Sequence, residues 1–312
     1  MSALNRRDWL AASGGLLAAG AYAASTSADV RSEKSPFGFC LNTSTIREQK
    51  IDLVTEVELI AKAGYDGIEP WMRELEQYQK DGGNLRDLRK KLEDLGLSVE
   101  SAIGFAKWLS DDDEERKQGL EQAKRDMDLL RQIGGKRIAA PPTGATNKPG
   151  LELAKAAERY RALLELGAEM GIIPQLELWG FSPNLSRLGE VAYVTAEAGH
   201  SDACLLLDVY HIYKGGSDFA GLRMINGHAM HVLHINDYPA NPPRESINDR
   251  DRVYPGDGIA PLTEILNTLY NSGYRGTLSL ELFNPEYWKQ DAELVLKTGL
   301  EKIKASVAAA FA

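Results

Sequence analysis

The stretch Cys204-Leu205-Leu206-Leu207-Asp208-Val209-Tyr210-His211 decides the fold. Its apolar run is continuous, so it reads as a strand buried on both faces. It is too short to be a helix of its own. It ends on a carboxylate, and an unpaired charge at the end of a buried strand is costly.

Working outward, the same kind of run recurs at Phe37–Asn42, Gly67–Pro70, Ser98–Ile103, Arg137–Ala140, Ile173–Leu178, Met230–Ile235 and Thr277–Leu282. Amphipathic stretches separate them, among them Ile51–Ala63, Leu85–Leu95, Glu115–Ile133, Leu151–Met170, Leu185–Ala198 and Leu262–Ser272. Several end on glycine, as in Ala63-Gly64, Ile133-Gly134 and Met170-Gly171, the usual stop for a helix. A weaker helix is expected around Phe219–Met224 after the sixth strand. Eight strand–helix alternations without a break in composition predict a single (β/α)8 TIM barrel over residues 36–312. The other layout, a doubly wound open sheet, lacks its glycine-rich phosphate fingerprint after the first strand.

Composition bounds the function. The chain has 312 residues and a formal net charge of −9, which disfavours nucleic acid as a partner. Cys40 and Cys204 both lie in apolar runs and read as buried free thiols. Nothing in the composition specifies or excludes an oligomer. At the front, Asn5-Arg6-Arg7-Asp8-Trp9-Leu10 precedes an uncharged run, Ala11–Ala24. Paired arginines before an aromatic and a leucine resemble a twin-arginine (Tat) signal. Residues 1–24 are therefore expected to be a leader, 25–35 a linker, and the product an exported, periplasmic protein handled transiently by the Tat machinery. An ordinary Sec leader is the other reading. The run is too short and too weakly apolar for a stable membrane anchor.

In barrels of this kind the C-terminal strand ends form the active face. Strand five ends Gln175-Leu176-Glu177-Leu178-Trp179, and strand six reaches Asp208. Strand seven ends His231-Val232-Leu233-His234-Ile235-Asn236-Asp237, and strand eight Ser279-Leu280-Glu281-Leu282-Phe283. Glu177, Asp208, His234 and Glu281 thus stand on four consecutive strands with no Lys or Arg inside the runs. Four such groups call for a shared cation. Three carboxylates and one imidazole form a hard donor set, suited to one Mn2+, or Mg2+ or Co2+, rather than structural zinc.

Asp208-x-x-His211, then His234 at the next strand end, then Arg252-Val253-Tyr254-Pro255-Gly256-Asp257-Gly258, resembles the sugar isomerase/epimerase group of the xylose-isomerase-like TIM barrels. The resemblance covers about residues 36–308 and is strongest from Glu177 to Glu281. It implies one metal held by Glu177, Asp208, His234 and Glu281, with the two glutamates as the acid/base pair and His211 and Arg252 on substrate oxygens. Arg244 and Arg250 share the segment with Arg252, but only Arg252 leads into the Pro-Gly-Asp-Gly run. Two departures from the group's pattern stand out: no acid in Trp179–Asn184, and an added Pro-rich loop at Pro239–Asn248. The superfamily also holds three-zinc apurinic endonucleases. The five histidines here all lie after the fifth strand, too few and too late for three metals.

Trp71, Trp108, Trp179, Tyr210 and Phe283 fall at strand ends and are candidates for an apolar wall against a carbohydrate. Trp108, Trp179 and Glu69 are expected to touch substrate, and Glu100 is a weaker candidate for a distal hydroxyl. A carboxylate on each face of a carbon acid, beside a Lewis acid, supports epimerisation or aldose–ketose exchange of an unphosphorylated sugar or keto-sugar. The same first step on a substrate with a β leaving group, such as a 3-keto-glycoside or an inosose-like ring, makes the enzyme a lyase or dehydratase. An exported, non-catalytic sugar-binding protein is the reading from another class. It would not need paired carboxylates at a metal.

Overall fold

Every apolar run of the sequence contains a strand. The computed structural model describes residues 35–312, and the leader and almost all of the linker lie outside them. The strands are β1 (Gly38–Asn42), β2 (Gly67–Glu69), β3 (Ser98–Val99), β4 (Arg137–Ala140), β5 (Ile173–Glu177), β6 (Leu205–Asp208), β7 (Met230–Ile235) and β8 (Thr277–Leu280). All pair in parallel, in the order β3-β2-β1-β8-β7-β6-β5-β4. β3 is shorter than the expected Ser98–Ile103 because its ladder breaks after Val99. The chain beyond it still closes the ring: Ala102 N donates to Arg137 O at 3.1 Å, and Ala139 N donates to Ala102 O at 2.8 Å. The molecule is a (β/α)8 TIM barrel.

Helices connect the strands. α1 (Leu53–Ala63) follows β1; α2 (Met72–Lys80) and α3 (Leu85–Asp94) follow β2. α4 (Asp113–Gln132), α5 (Leu153–Met170) and α6 (Leu188–Glu197) come next, and a short α7 (Val209–Gly215) leaves β6. α8 (Leu262–Asn271) precedes β8, and α9 (Pro285–Trp288) and α10 (Ala292–Ala310) end the chain. Gly64 and Gly171 stop α1 and α5 at φ of 93° and 71°, a region a side chain disfavours. The weak segment Phe219–Met224 is a 3-10 turn rather than an α-helix. Cys40 and Cys204 are buried free thiols. Among the described residues no helix is long and apolar enough to cross a membrane.

Strand alternation divides the side chains into two populations. Leu41, Ile138, Leu176, Leu205, Leu207, Leu233, Ile235, Leu278 and Leu280 join the large apolar core with the helices. Their neighbours Ala139, Leu206 and Val232 form a small separate cluster with Trp71 and Ile103. One step further along that second face come Asp208 and His234, and the equivalent positions elsewhere are Asn42, Glu69, Glu177 and Glu281. Register places Asn42 opposite Glu69 and Asp208 opposite His234, with Ser279 beside both His234 and Cys40. A polar layer therefore sits above a thin apolar floor.

Candidate metal centre

Asp208 does two things at once. Its Oδ1 accepts from His211 N at 2.8 Å and caps α7, so the Asp208-x-x-His211 spacing is that of a helix N-cap. This is also why β6 ends at Asp208 instead of running through Val209. Oδ2 accepts from Asn236 Nδ2 at 3.0 Å and from Arg252 Nη1 at 3.0 Å.

Asp208, His234 and Glu281, all buried, offer ligand atoms within 4.8 Å of one another. His234 Nδ1 lies 3.3 Å from Glu281 Oε2 and 3.7 Å from Asp208 Oδ2 without making a hydrogen bond. Glu177 Oε2 is buried and unpartnered. Burial pushes the Glu177 carboxyl up to about 8, with His234 pulling it down and Glu281 and Asp208 raising it again. Burial would also raise Glu281, but His234, Arg252 and His211 hold it well below the usual carboxylate range. For His234, burial opposes the charge, and Glu281 and Glu69 outweigh it and keep its pKa high. Asp208, His234 and Glu281, a mostly oxygen donor set with the orphaned His234 Nδ1 among them, fit a divalent cation, while the structure does not bring Glu177 into that close group.

His234 is held from behind. Its Nε2 lies 3.0 Å from Glu69 Oε2, which also accepts from Asn42 Nδ2 at 3.0 Å and Ser279 Oγ at 2.8 Å. Glu69 was expected to meet substrate; instead it is fully buried beneath His234 and orients the imidazole. Asn42, unremarked in the sequence, reaches Glu281 Oε1 at 3.1 Å through the same amide and accepts from Trp71 Nε1 at 2.9 Å. Its position at the end of the first strand was the available signal.

Arg252 is only 1% exposed. Nη1 also donates to Glu281 Oε2 at 2.8 Å, and Nη2 donates to His211 Nε2 at 3.1 Å and to Asp249. Burial works against its charge, but Asp208, Asp249 and Glu281 hold the guanidinium protonated. Burial, followed by Arg252, lowers the His211 pKa, so this imidazole is a neutral acceptor at Nε2. The segment that follows β7 brings Arg252 here. Asp237 pairs with Val253 in an isolated antiparallel bridge, N to O at 2.9 Å both ways. The Asp237 carboxylate then gathers the backbone N–H groups of Tyr238, Gly256, Gly258 and Ala260. A Cβ on Gly258 would come within 2.3 Å of Asp237 Oδ1, so that close approach requires glycine.

Rings surround the mouth. Phe283, Trp71, Phe105, Trp179, Phe181 and His211 follow one another with centroids 5.0–6.1 Å apart. Phe105 and Phe181, 42% and 48% exposed, were not anticipated. Trp108 departs from expectation: it is buried against Tyr160, and its Nε1 donates to Pro141 O at 2.7 Å, so it belongs to the main core. Glu100 pairs with Ser98 and faces Arg137 at 3.7 Å, engaged away from this cluster.

Comparison with known proteins places the fold. The family model described as xylose isomerase-like TIM barrel matches residues 57–305. The inosose isomerase of Bacillus velezensis is 30% identical over 276 residues, spanning 87% of this chain and 98% of that protein. The 3-dehydroshikimate dehydratase of Pseudomonas aeruginosa is 29% identical over 233 residues, 74% of this chain but 36% of that longer protein. The crystal structure of the IOLI protein with a binding zinc atom superposes with a TM-score of 0.82 at 26% identity, covering 88% of this chain and all of that one.

Proposed function

The chain belongs to the xylose isomerase-like TIM barrel family, and on that premise we propose that it is a metal-dependent isomerase or epimerase of an unphosphorylated sugar or keto-sugar. One observation carries this reading: the ligand atoms of Asp208, His234 and Glu281 lie within 4.8 Å of one another.

Glu177, Asp208, His234 and Glu281 would hold one divalent ion. When bound, that ion supplies Lewis-acid stabilisation of negative charge developing on the substrate's carbonyl and neighbouring hydroxyl oxygens. Glu177 and Glu281 remove and return the proton on the carbon next to the carbonyl. Arg252, already fixed by Asp208, Glu281, His211 and Asp249 through both Nη groups, keeps its Nε–H as the free donor for the same oxygens. His211 Nδ1, buried without a partner, is left to bind a substrate oxygen. The aromatic arc keeps water from the reacting carbon. Mn2+ follows from the hard donor set, while the zinc of the IOLI structure makes Zn2+ the competing ion.

The likeness to 3-dehydroshikimate dehydratase favours one second reading, loss of a β leaving group after the same proton transfer. Export through the twin-arginine route, which carries folded proteins, would let the ion be loaded in the cytoplasm; removal of the leader, residues 1–24, then leaves the linker 25–35 and the barrel 36–312. The test is incubation with keto-sugars and inososes in D2O with Mn2+ or Zn2+. Deuterium at the carbon next to the carbonyl supports the proposal, and product identity separates isomerase from dehydratase. A full panel without exchange, with metal bound, overturns it in favour of a sugar-binding protein.

A further inference from the structure

The register between β1 and β8 stops one residue short of Glu281. It runs from Gly38 opposite Thr277 to Leu41 opposite Leu280, and after Asn42 the chain leaves the sheet as the 3-10 turn Thr43–Gln49. A side chain on that turn continues the ladder in place of the strand. The Thr45 hydroxyl donates to Leu280 O at 3.0 Å and accepts from Leu282 N at 3.1 Å. One oxygen therefore grips the chain immediately before and immediately after Glu281.

The grip from the β7 side is weaker. Glu281 N donates to Ile235 O at 3.4 Å and Glu281 O accepts from Asn236 Nδ2 at 3.5 Å, both longer than the roughly 2.7–3.2 Å of a well-formed bond. The turn that carries Thr45 is itself pinned on both flanks. Glu74 of α2 accepts from Thr43 Oγ1 at 2.6 Å, and Trp288 Nε1 of α9 donates to Ser44 O at 3.0 Å. Thr45 is buried, and its single O–H is used on Leu280, so it keeps no donor for a substrate. Asn42 and Arg252 aim the two oxygens of Glu281, but a carboxylate also swings with its own backbone. A misplacement of about 1 Å at a reacting group can cost roughly 10²-fold.

We propose that Thr45 is a positioning residue for the metal centre: its hydroxyl stands in for the missing end of β1, fixes the backbone at Glu281 and keeps that carboxylate beside Asp208 and His234. The inference rests on the reading of those three residues as metal ligands and adds to it a residue that touches no ligand atom. Threonine suits the task because β-branching restricts χ1 and holds the oxygen between the two backbone groups.

The test is competition for Mn2+ and Zn2+ against a chromophoric chelator, with melting temperatures measured alongside. Thr45→Val keeps the shape and removes both hydrogen bonds. It should weaken metal binding by about tenfold, the lower end of what loss of a ligand's support costs. Thr45→Ser keeps the hydroxyl and should recover most of that loss. Tyr65→Phe is the control, since it removes a buried hydroxyl that donates to Leu296 O and should leave the affinity unchanged. Where the valine variant folds poorly, Thr45→Ala takes its place in the comparison with Thr45→Ser. The proposal is overturned if Thr45→Val binds the ion within twofold of wild type, or if Thr45→Ser binds no better than Thr45→Val. It is also overturned if Tyr65→Phe weakens binding as much, because the loss then follows stability alone. Failure of the broader reading looks different: wild type itself binds neither ion, and this proposal falls with it.

Discussion

Glu69 Oε2 lies 3.0 Å from Nε2 of His234, across 165 residues of sequence. The contact leaves His234 Nδ1 facing Asp208 and Glu281, which selects the ring orientation a metal ligand needs. Carboxylates placed behind ligating histidines raise their basicity and fix their tautomer.

Glu69→Ala should weaken divalent-metal binding by about 10–100-fold, the usual effect of losing such a support. Competition against a chromophoric chelator measures it. An affinity within twofold of wild type would show that the imidazole is held well enough by packing.

Arg252→Gln removes the donor shared by Asp208 and Glu281. In metal-free protein the two buried carboxylates are then left with His234 as their one nearby cation, and stability should fall by about 3 kcal/mol. Saturating metal should recover most of that loss. With metal present, kcat/KM should still drop by about 10²–10³, as for loss of one preorganised donor. Urea melts with and without metal, together with kinetics, test both halves; a variant as active as wild type removes Arg252 from the mechanism.

Asp237→Ala frees four backbone N–H groups at once. The expected cost is about 2 kcal/mol, since released loop amides regain water. Metal affinity should hold while kcat/KM falls, because the loop carries Arg252 and no ligand. Equal loss of metal binding and turnover would show that the loop shapes the whole centre.

Asp126, on α4, is buried with one donor, Gln122 Nε2 at 2.6 Å. Burial raises its pKa from 3.8 to about 6, with Gln122 pulling the other way. A carboxyl with a raised folded-state pKa contributes full stability below its unfolded value and loses it as pH rises through the folded value. Wild type and Asp126→Asn should therefore match near pH 4. Above pH 7 the variant should be the more stable, by an amount on the order of 2 kcal/mol. Thermal melts across that range decide it; a constant difference would mean that Asp126 does not titrate there.

The strand ends were legible because strands buried on both faces read as continuous apolar runs and charge is costly inside a sheet. Any acid or histidine closing an apolar run was therefore visible without coordinates. Asp208, His234 and Glu281, which the fold brings together, were read that way, as were Glu177 and Glu69, but the contact between Glu69 and His234 was not. Asn42 passed unnoticed because an uncharged amide at a strand end carries no such cost. Trp108 misled because a strand-end position does not say which side of the barrel wall a side chain enters.

Sequence alone thus determined the barrel and the residues on its polar face, since both follow from local periodicity and the cost of unpaired charge. Tertiary structure alone decided how those residues divide the work. Glu69 meets His234, Asp237 gathers Gly256 and Gly258, and Thr45 meets Leu280 and Leu282 only once β1, β2, β7 and β8 stand side by side. Pairings of that kind depend on ring closure and loop path, and distances across a closed barrel are not written in the spacing of residues along the chain.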